Sequence, residues 1–136
     1  MFELALYYGE GPISLKTIAE NEGLSEHYLE QLIAILRKAD LVKSVRGAQG
    51  GYMLAAPPDK ITVGDVIRTL EGSLAPADCV LEDTPFECSR AGGCPTKLVM
   101  ERIRDSINKV IDSITLQDMV DDYRRLNQKS AFMYYI

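Results

Sequence analysis

The sequence lacks the features that mark a membrane or secreted protein. No stretch of its 136 residues approaches the roughly 18 to 20 consecutive apolar residues that a membrane-spanning helix requires. The opening residues, from Met1 to Leu6, contain neither a basic region nor the small-residue cleavage site of a signal peptide. We therefore expect a soluble, cytoplasmic protein with no membrane partner.

Patterns that support common enzyme chemistry are also absent. The sequence contains no Cys-x-x-Cys redox pair and no glycine-rich phosphate-binding loop. Its single histidine, His27, is the one imidazole that could serve as a general base. We therefore expect that the protein is not an enzyme.

The average charge of the chain disfavours nucleic-acid binding, but the distribution of charge does not. The net charge is −5, whereas DNA affinity depends largely on Lys and Arg that neutralise phosphates. Residues 12–52 carry five basic and five acidic side chains, while residues 53–136 carry ten basic and thirteen acidic ones. Because the acidity lies mainly in the second region, the first remains a candidate for DNA binding.

Helical periodicity predicts a helix-turn-helix in the first third of the chain. After a first helix over residues 1–8, Ser14 caps a second helix that Gly23 ends, and Ser25 caps a third. A short Gly-containing turn between two such helices is typical of a helix-turn-helix, whose second helix can enter the major groove of DNA. The apolar side of the third helix is predicted to contain Tyr28, Leu29, Leu32, Ile33, Leu36 and Ala39, and its outer side Glu26, His27, Glu30, Gln31 and Lys38.

A β-hairpin is predicted directly after these helices. Residues 41–46 have the pattern of a strand, residues 47–51 form a tight loop and residues 52–55 form a returning strand. A hairpin in this position is a β-wing. Thr62 and Asp65 then resemble a capping box at the start of a fourth helix, which completes a winged helix-turn-helix domain over residues 1–72.

The loop of the wing has residues suited to close contact with DNA. Gly47, Gly50 and Gly51 permit positive φ angles and a close approach of the backbone to phosphate. Arg46 lies at the edge of the wing, where a narrow minor groove would attract its guanidinium.

A long helix is predicted to begin at Pro95, which suits the first helical position. Its apolar residues form a heptad seam, which favours pairing with a second copy of the chain. Symmetric pairing would space two recognition helices for a palindromic site. We assign dimerisation to residues 95–136, with a last helix over residues 115–126 and an aromatic tail over residues 132–136 that packs on the body or across the dimer. The seam consists of Ile103, Ile107, Val110 and Ile114.

All three cysteines, Cys79, Cys88 and Cys94, fall in or at the end of a predicted irregular segment over residues 73–94. An odd number of cysteines in a reducing cytosol favours thiol chemistry or metal binding over structural disulfides. Three thiolates suit an iron–sulfur cluster with one position left for another ligand, and they also suit zinc. A disulfide formed on oxidation, or ordinary buried cysteines, are the alternatives.

Two segments of the chain resemble a known family. Residues 25–32, Ser-Glu-His-Tyr-Leu-Glu-Gln-Leu, and residues 41–52, Leu-Val-Lys-Ser-Val-Arg-Gly-Ala-Gln-Gly-Gly-Tyr, are similar to the winged-helix transcription regulators of the IscR, NsrR and CymR family. The resemblance covers nearly the whole chain. It implies a homodimeric regulator that binds double-stranded operator DNA, and it implies a basic opening and first half-helix that are missing ahead of Met1, so we expect a truncated start.

The resemblance also implies roles for individual residues. Glu30 and Gln31 match positions that face base edges, where Gln bonds adenine and Glu accepts from cytosine. Arg46 matches a wing arginine that enters the minor groove, and Ser25 and His27 would lie near phosphates or bases. The full set of expected DNA contacts is Ser25, His27, Tyr28, Glu30, Gln31, Lys43, Arg46, Gly47, Gly50 and Gly51.

In the sensor members of the family, a cysteine loop before the long helix holds a 2Fe–2S or 4Fe–4S cluster. Cys79, Cys88 and Cys94, with eight and five residues between them, fit that loop. Where one member uses a histidine three residues after the third cysteine, this chain has Lys97, and other members use a carboxylate from the partner subunit. The fourth ligand is therefore unassigned.

The leading hypothesis is a sequence-specific regulator that senses iron–sulfur cluster, redox or nitric oxide status through a cluster at these three cysteines, and two other hypotheses accompany it. Residues 24–31 and 132–136 look particularly similar to CymR, the cluster-free repressor of cysteine metabolism in this family, which has cysteine synthase as a partner. The alternative of another class is a protein-interaction module without DNA binding.

Overall fold

The computed structural model, which describes residues 1–134, contains six α-helices and one two-stranded antiparallel sheet. The predicted fold class, mainly α with a small β-wing, is confirmed. The helices are α1 (Phe2–Leu6), α2 (Leu15–Glu22), α3 (Glu26–Lys38), α4 (Val63–Glu71), α5 (Pro95–Ser113) and α6 (Leu116–Met133), and the strands are β1 (Val42–Val45) and β2 (Gly51–Leu54). Single 3₁₀ turns occur at Pro58–Lys60, Asp78–Val80 and Ala91–Gly93.

Local capping explains where several helices begin and end. The Oγ atoms of Ser14 and Ser25 each accept the backbone N–H three residues further on, at 3.1 Å. Gly23 ends α2 in the left-handed conformation, with φ 65°. Thr62 and Asp65 form a reciprocal capping box at the start of α4, with hydrogen bonds of 2.9 and 3.0 Å. These predicted boundaries are therefore confirmed.

The main core forms where the first three helices meet the sheet and the start of α6. α3 packs against β1 and α4, while α6 returns along the chain to pack against α1. The ring of Phe2 in α1 meets the ring of Tyr123 in α6 edge-on, with centroids 5.3 Å apart. The buried members of this core are Leu4, Ala5, Ile18, Ala19, Leu29, Ile33, Leu36, Val42, Leu54, Ile61, Leu116 and Val120.

A third segment of backbone extends the hairpin sheet. Within the hairpin, Val42 pairs with Leu54 and Val45 pairs with Gly51. Ile13, just before α2, pairs with Tyr52 of β2 through two backbone hydrogen bonds of 2.9 and 2.8 Å. The hairpin is thereby tied to the start of the helix-turn-helix.

Three predictions about helix ends and apolar positions are wrong. α1 ends at Leu6 rather than at residue 8. Ala39 lies after the last residue of α3 and is exposed, so it does not belong to the apolar side. Ile114 follows α5 in an extended conformation because its carbonyl accepts the N–H of Val63 at 2.8 Å, so the predicted seam loses its last helical position.

The last helix also differs from its prediction, because α6 continues to Met133 instead of ending near Leu126. No Gly or Pro interrupts this stretch, so the helix has no local reason to stop. Phe132 and Tyr134 are exposed, Tyr134 by 92%, and do not pack on the body of their own chain, while Tyr135 and Ile136 lie outside the described residues. No helix in the described part of the chain is both long and apolar enough to cross a membrane.

Leu54 provides a test of the packing between the sheet and the helices. Its side chain is only 1% exposed, so Leu54→Ala removes buried methyl groups and leaves a cavity. We expect the free energy of unfolding in urea to fall by about 2–5 kcal/mol. Val45→Ala is the control, because Val45 lies in the same hairpin but is exposed, and it should change that free energy by less than about 1 kcal/mol. Equal losses for both variants would contradict the packing described.

Candidate nucleic-acid interface

The outer side of α3 is open to solvent. The side chains of His27 and Glu30 are 83% and 62% exposed, and Gln31 is also exposed. On the opposite side, Leu29 and Ile33 are buried in the core. Because the apolar side is anchored to the body, the polar side is presented outward as a fixed surface.

Three polar side chains on this surface lie close to one another. His27 Nδ1 lies 3.9 Å from Glu30 Oε2, and His27 Nε2 lies 3.4 Å from Gln31 Nε2. A neutral imidazole protonated on Nδ1 would direct its N–H toward the carboxylate and accept from the amide of Gln31. His27 therefore sits between the two side chains predicted to face base edges.

The first turn of α3 brings two further predicted contacts to the same surface. The Oγ of Ser25 accepts the N–H of Tyr28 at 3.1 Å, which uses a lone pair of the hydroxyl and not its proton. Tyr28 was predicted both on the apolar side and among the DNA contacts, and the structure exposes about half of it. Its position is compatible with the second of these predictions.

The wing stands beside α3 because α3 packs against β1. Lys43 lies in β1, opposite Met53 of β2, and its side chain is exposed. Arg46 follows β1 directly and is also exposed. Both basic side chains are therefore available on the hairpin.

The backbone conformation and close packing of the wing require its glycines. Gly47 adopts φ 118°, a conformation that L side chains rarely adopt. A Cβ on Gly50 would overlap the carbonyl of Val45, and a Cβ on Gly51 would overlap the carbonyl of Ile13. Internal backbone contacts thus account for Gly50 and Gly51 without any approach of phosphate. No local sequence pattern indicates the pairing of Ile13 with β2, which imposes the glycine at position 51.

The three cysteines occupy different settings. Cys79 is half-buried in the 3₁₀ turn Asp78–Val80, Cys88 is exposed, and Cys94 is half-buried immediately before α5. Within residues 1–134, no three His, Cys, Asp or Glu side chains form a group that could hold a metal ion. The described arrangement therefore does not fit a bound cluster, although three thiols in one segment supply the correct donor chemistry.

Cys94 opens onto a shallow cavity of about 470 Å³ at the start of α5. Gly92 and Gly93 line one side of this cavity, and Lys97 lines the other. Lys97 occupies the position at which the family resemblance places a histidine ligand in one member, and a protonated lysine amine cannot coordinate a metal. Position 97 therefore supplies no fourth metal ligand beside Cys94.

Comparison with known proteins identifies the family of this chain. The family model described as Rrf2, an iron-dependent transcriptional regulator, matches residues 1–122. The chain belongs to the Rrf2 family. The predicted resemblance to regulators of the IscR, NsrR and CymR type is thereby confirmed.

Rrf2 relatives of two kinds are similar to the chain. The HTH-type transcriptional regulator CymR of Bacillus subtilis is 47% identical over 136 residues, which are 100% of this chain and 91% of that protein. The HTH-type transcriptional regulator IscR of Aliivibrio salmonicida is 38% identical over 122 residues, which are 90% of this chain and 71% of that protein. Both of these Rrf2 relatives are named as transcriptional regulators.

The chain is also similar to solved Rrf2 structures of the same two kinds, CymR and IscR. CymR, described as the global cysteine regulator of B. subtilis, superposes with a TM-score of 0.72 and 52% identity over 88% of this chain and 86% of that chain. T. potens IscR superposes with a TM-score of 0.71 and 57% identity over 90% of this chain and 78% of that chain. The two fits are equally good, so overall shape does not distinguish a CymR-like from an IscR-like regulator.

Proposed function

We propose that this Rrf2 regulator binds a specific operator in double-stranded DNA through α3 and the wing. The observation that carries the proposal is the exposed polar side of α3, held rigidly by the burial of its opposite side. An α-helix fits the major groove of B-DNA, which is about 12 Å wide. The similarity to regulators named as HTH-type supports the same function.

Each group on this surface has a role that suits its chemistry. Gln31 and Glu30 extend from α3 toward base edges, where an amide recognises adenine and a carboxylate accepts from cytosine. Ser25 and His27 lie at the amino end of α3, where the helix dipole and backbone N–H groups favour phosphate. Tyr28 of α3 and the wing complete the proposed contact surface. The wing contributes the side chains of Lys43 and Arg46 and the backbone at Gly47, Gly50 and Gly51.

A comparison of Gln31→Ala with Lys43→Ala separates base recognition from phosphate contact. An operator is first selected from a random-duplex library with the wild-type protein, and affinities are then measured by fluorescence anisotropy on that operator and on random duplex. Gln31→Ala should cost about 1–3 kcal/mol on the operator and little on random DNA. Lys43→Ala should weaken both alike and reduce the salt slope by about one.

Gln117→Ala on α6 is the matched control, because it removes the same amide outside the proposed surface and should leave both affinities unchanged. If Gln31→Ala and Lys43→Ala lose the same affinity on every duplex, base recognition by Gln31 is wrong. A wild-type protein that shifts no duplex at low salt would instead favour the protein-interaction module.

We further propose that two copies of the chain pair through α5. None of the residues of this helix is buried in the single chain. One side of it carries an exposed apolar stripe at helical spacing that includes Val99, Ile103 and Val110, of which Val110 is 56% exposed. The same stripe on a second copy is its natural complement in a two-fold dimer, which would place two α3 helices on a palindromic operator about 34–36 Å apart.

Val110→Glu tests this dimer, because symmetry would bring two new carboxylates to the paired helices. We expect a monomer in sedimentation velocity at micromolar concentration, together with weaker operator binding. Lys109→Glu introduces the same side chain at the neighbouring exposed position and should leave the dimer intact. A monomeric wild-type protein, or a Val110→Glu variant that remains dimeric, would contradict pairing through α5.

Sensing is the third part of the proposal, and we assign it to the segment over residues 73–94. Two chemistries are candidates for its thiols. The first is an iron–sulfur cluster with Cys79, Cys88 and Cys94 as ligands, supported by the donor set and by the family description as iron-dependent. Since these thiols do not form a metal-holding group in the structure, the segment would have to rearrange to bind one.

The second candidate is a cluster-free regulator of cysteine metabolism that acts with cysteine synthase. The separation of the thiols favours it, as does the similarity to CymR along the whole chain. In that case the cysteines are free thiols and the signal reaches the regulator through a protein partner.

Anaerobic reconstitution with iron and sulfide distinguishes the two candidates. For a cluster, we expect visible absorption bands and bound iron, both lost when the three cysteines are replaced by serine, since thiolates are the ligands that hold such clusters. A colourless wild-type protein that still shifts its operator would reject the cluster. An operator shift that then changes on addition of cysteine synthase would support the CymR-like regulator.

A further inference from the structure

A polar network outside the DNA-facing surface joins α4 to α5. Arg68 of α4 donates from Nη1 to Asp112 Oδ2 at 3.3 Å and to Asn108 Oδ1 at 3.4 Å. Its Nη2 makes a second bond to Asp112 Oδ1, so the guanidinium binds the carboxylate with both arms. A two-armed bond of this kind constrains the relative position of the two helices more tightly than a single contact.

The same network also holds the beginning of the cysteine segment. Glu82 accepts a hydrogen bond from Asn108 Nδ2 at 3.0 Å and another from Ser73 Oγ at 2.5 Å. These hydrogen bonds, that of Ser73 first, lower the pKa of Glu82, so the carboxylate is ionised at neutral pH. We define the polar clamp as Arg68, Ser73, Glu82, Asn108 and Asp112.

Cys79 lies in the sequence between Ser73 and Glu82, the two residues of the cysteine segment that belong to the polar clamp. Its 3₁₀ turn ends at Val80, which is almost fully buried and whose carbonyl accepts from Arg104 Nη1 of α5 at 3.0 Å. The backbone around Cys79 is therefore attached to α5 at two points, residues 80 and 82, and the bond of Ser73 to Glu82 joins the start of the segment to the second point. Cys79 therefore lies within the stretch of chain that the clamp attaches to α5.

Gly64 shows how closely α4 and α5 approach at the clamp. A Cβ at this position would overlap Asp112 Oδ1 and would lie 2.7 Å from Arg68 Nη2. Gly64 is itself buried in the first turn of α4. The absence of a side chain thus provides the space that the ion pair occupies.

On its other side, α4 reaches the recognition helix. Val66 and Leu70 of α4 pack against the core that contains Leu29 and Ile33 of α3. A displacement of α4 relative to α5 would therefore carry α3 with it. In a dimer built on α5, such a displacement changes the separation of the two α3 helices.

We propose that the polar clamp sets the position of α3 relative to the dimer helix and links it to the segment around Cys79. Arg68, Asp112 and Glu82 are positioning residues, because they act on DNA binding through helices and not by touching DNA. The inference rests on the proposed function for its DNA measurements. Binding to a two-part operator requires a defined separation of the recognition helices, whereas binding to random DNA does not.

Asp112→Ala removes the acceptor of the two-armed bond on the exposed side of α5. On the selected operator we expect affinity to fall by about fivefold or more, with affinity for random duplex unchanged within about twofold. The variant should also lose the preference of the wild type for the selected half-site spacing over spacings altered by one base pair. Asp122→Ala is the control, because Asp122 pairs with Arg125 within α6 and does not bridge two helices.

Losses that are equal on operator and random DNA, or spacing selectivity equal to that of the wild type, would overturn the positioning role. A merely destabilised protein would lose affinity for every duplex in the same proportion, so the spacing measurement separates the two explanations.

Glu82→Ala tests the link to the cysteine segment by hydrogen exchange of the free protein. Because Glu82 is exposed, its removal leaves no buried group without a partner. We expect faster amide exchange both around Cys79 and in α4, whereas Glu87→Ala, an exposed glutamate later in the same segment, should leave α4 unchanged. Unchanged exchange in α4 of Glu82→Ala would overturn the link. The hydrogen-exchange measurement tests the link between Glu82 and α4 even if the wild-type protein binds no duplex. A failure to bind DNA would contradict the proposed function and leave that link standing.

Discussion

The proposed DNA-facing surface depends on the burial of one side of α3. Leu29 and Ile33 anchor this helix in a core shared with α2, β1 and α6, and that burial holds the opposite side outward. A polar helix surface recognises bases only if its direction is constrained, since an error of a few tenths of an ångström misaligns bidentate hydrogen bonds. The core of this small regulator therefore positions its recognition surface as well as stabilising its fold.

Two long-range contacts extend that rigidity beyond the core. The pairing of Ile13 with Tyr52 ties the wing to the helix-turn-helix, so the helix and the hairpin form one surface. The bond of Arg68 to Asp112 ties α4 to the proposed dimer helix. The proposed recognition surface, the proposed dimer helix and the cysteine segment are thus joined through a short series of contacts.

For the cysteine segment, the similarity to known proteins and the arrangement of the thiols do not support the same chemistry. IscR and CymR fit the chain almost equally well, whereas the proposed iron–sulfur cluster would require its three thiol ligands to be gathered together. The described thiols lie in separate settings, with Cys79 held against α5 and Cys88 exposed. The side-chain attachments of this segment lie near Cys79, at residues 73, 80 and 82, and Cys88 and Cys94 follow them in the chain.

The sequence by itself determined the features that depend on near neighbours. Caps at Ser14, Ser25 and Thr62 and the helical period of α3 predicted the winged helix-turn-helix and the exposure of Glu30 and Gln31, because capping and amphipathic spacing act within a few residues. The extended backbone at Ile114 escaped prediction because a distant partner, Val63, imposes it.

Only the tertiary structure decided the reason for Gly51, the grouping of Arg68 with Asp112 and Glu82, and the separation of the cysteines. Arg68 and Asp112 are 44 residues apart, and no local pattern indicates which distant side chains will meet when helices pack. Interactions between near neighbours determine which secondary structure each segment forms, whereas packing between segments determines which distant side chains come together.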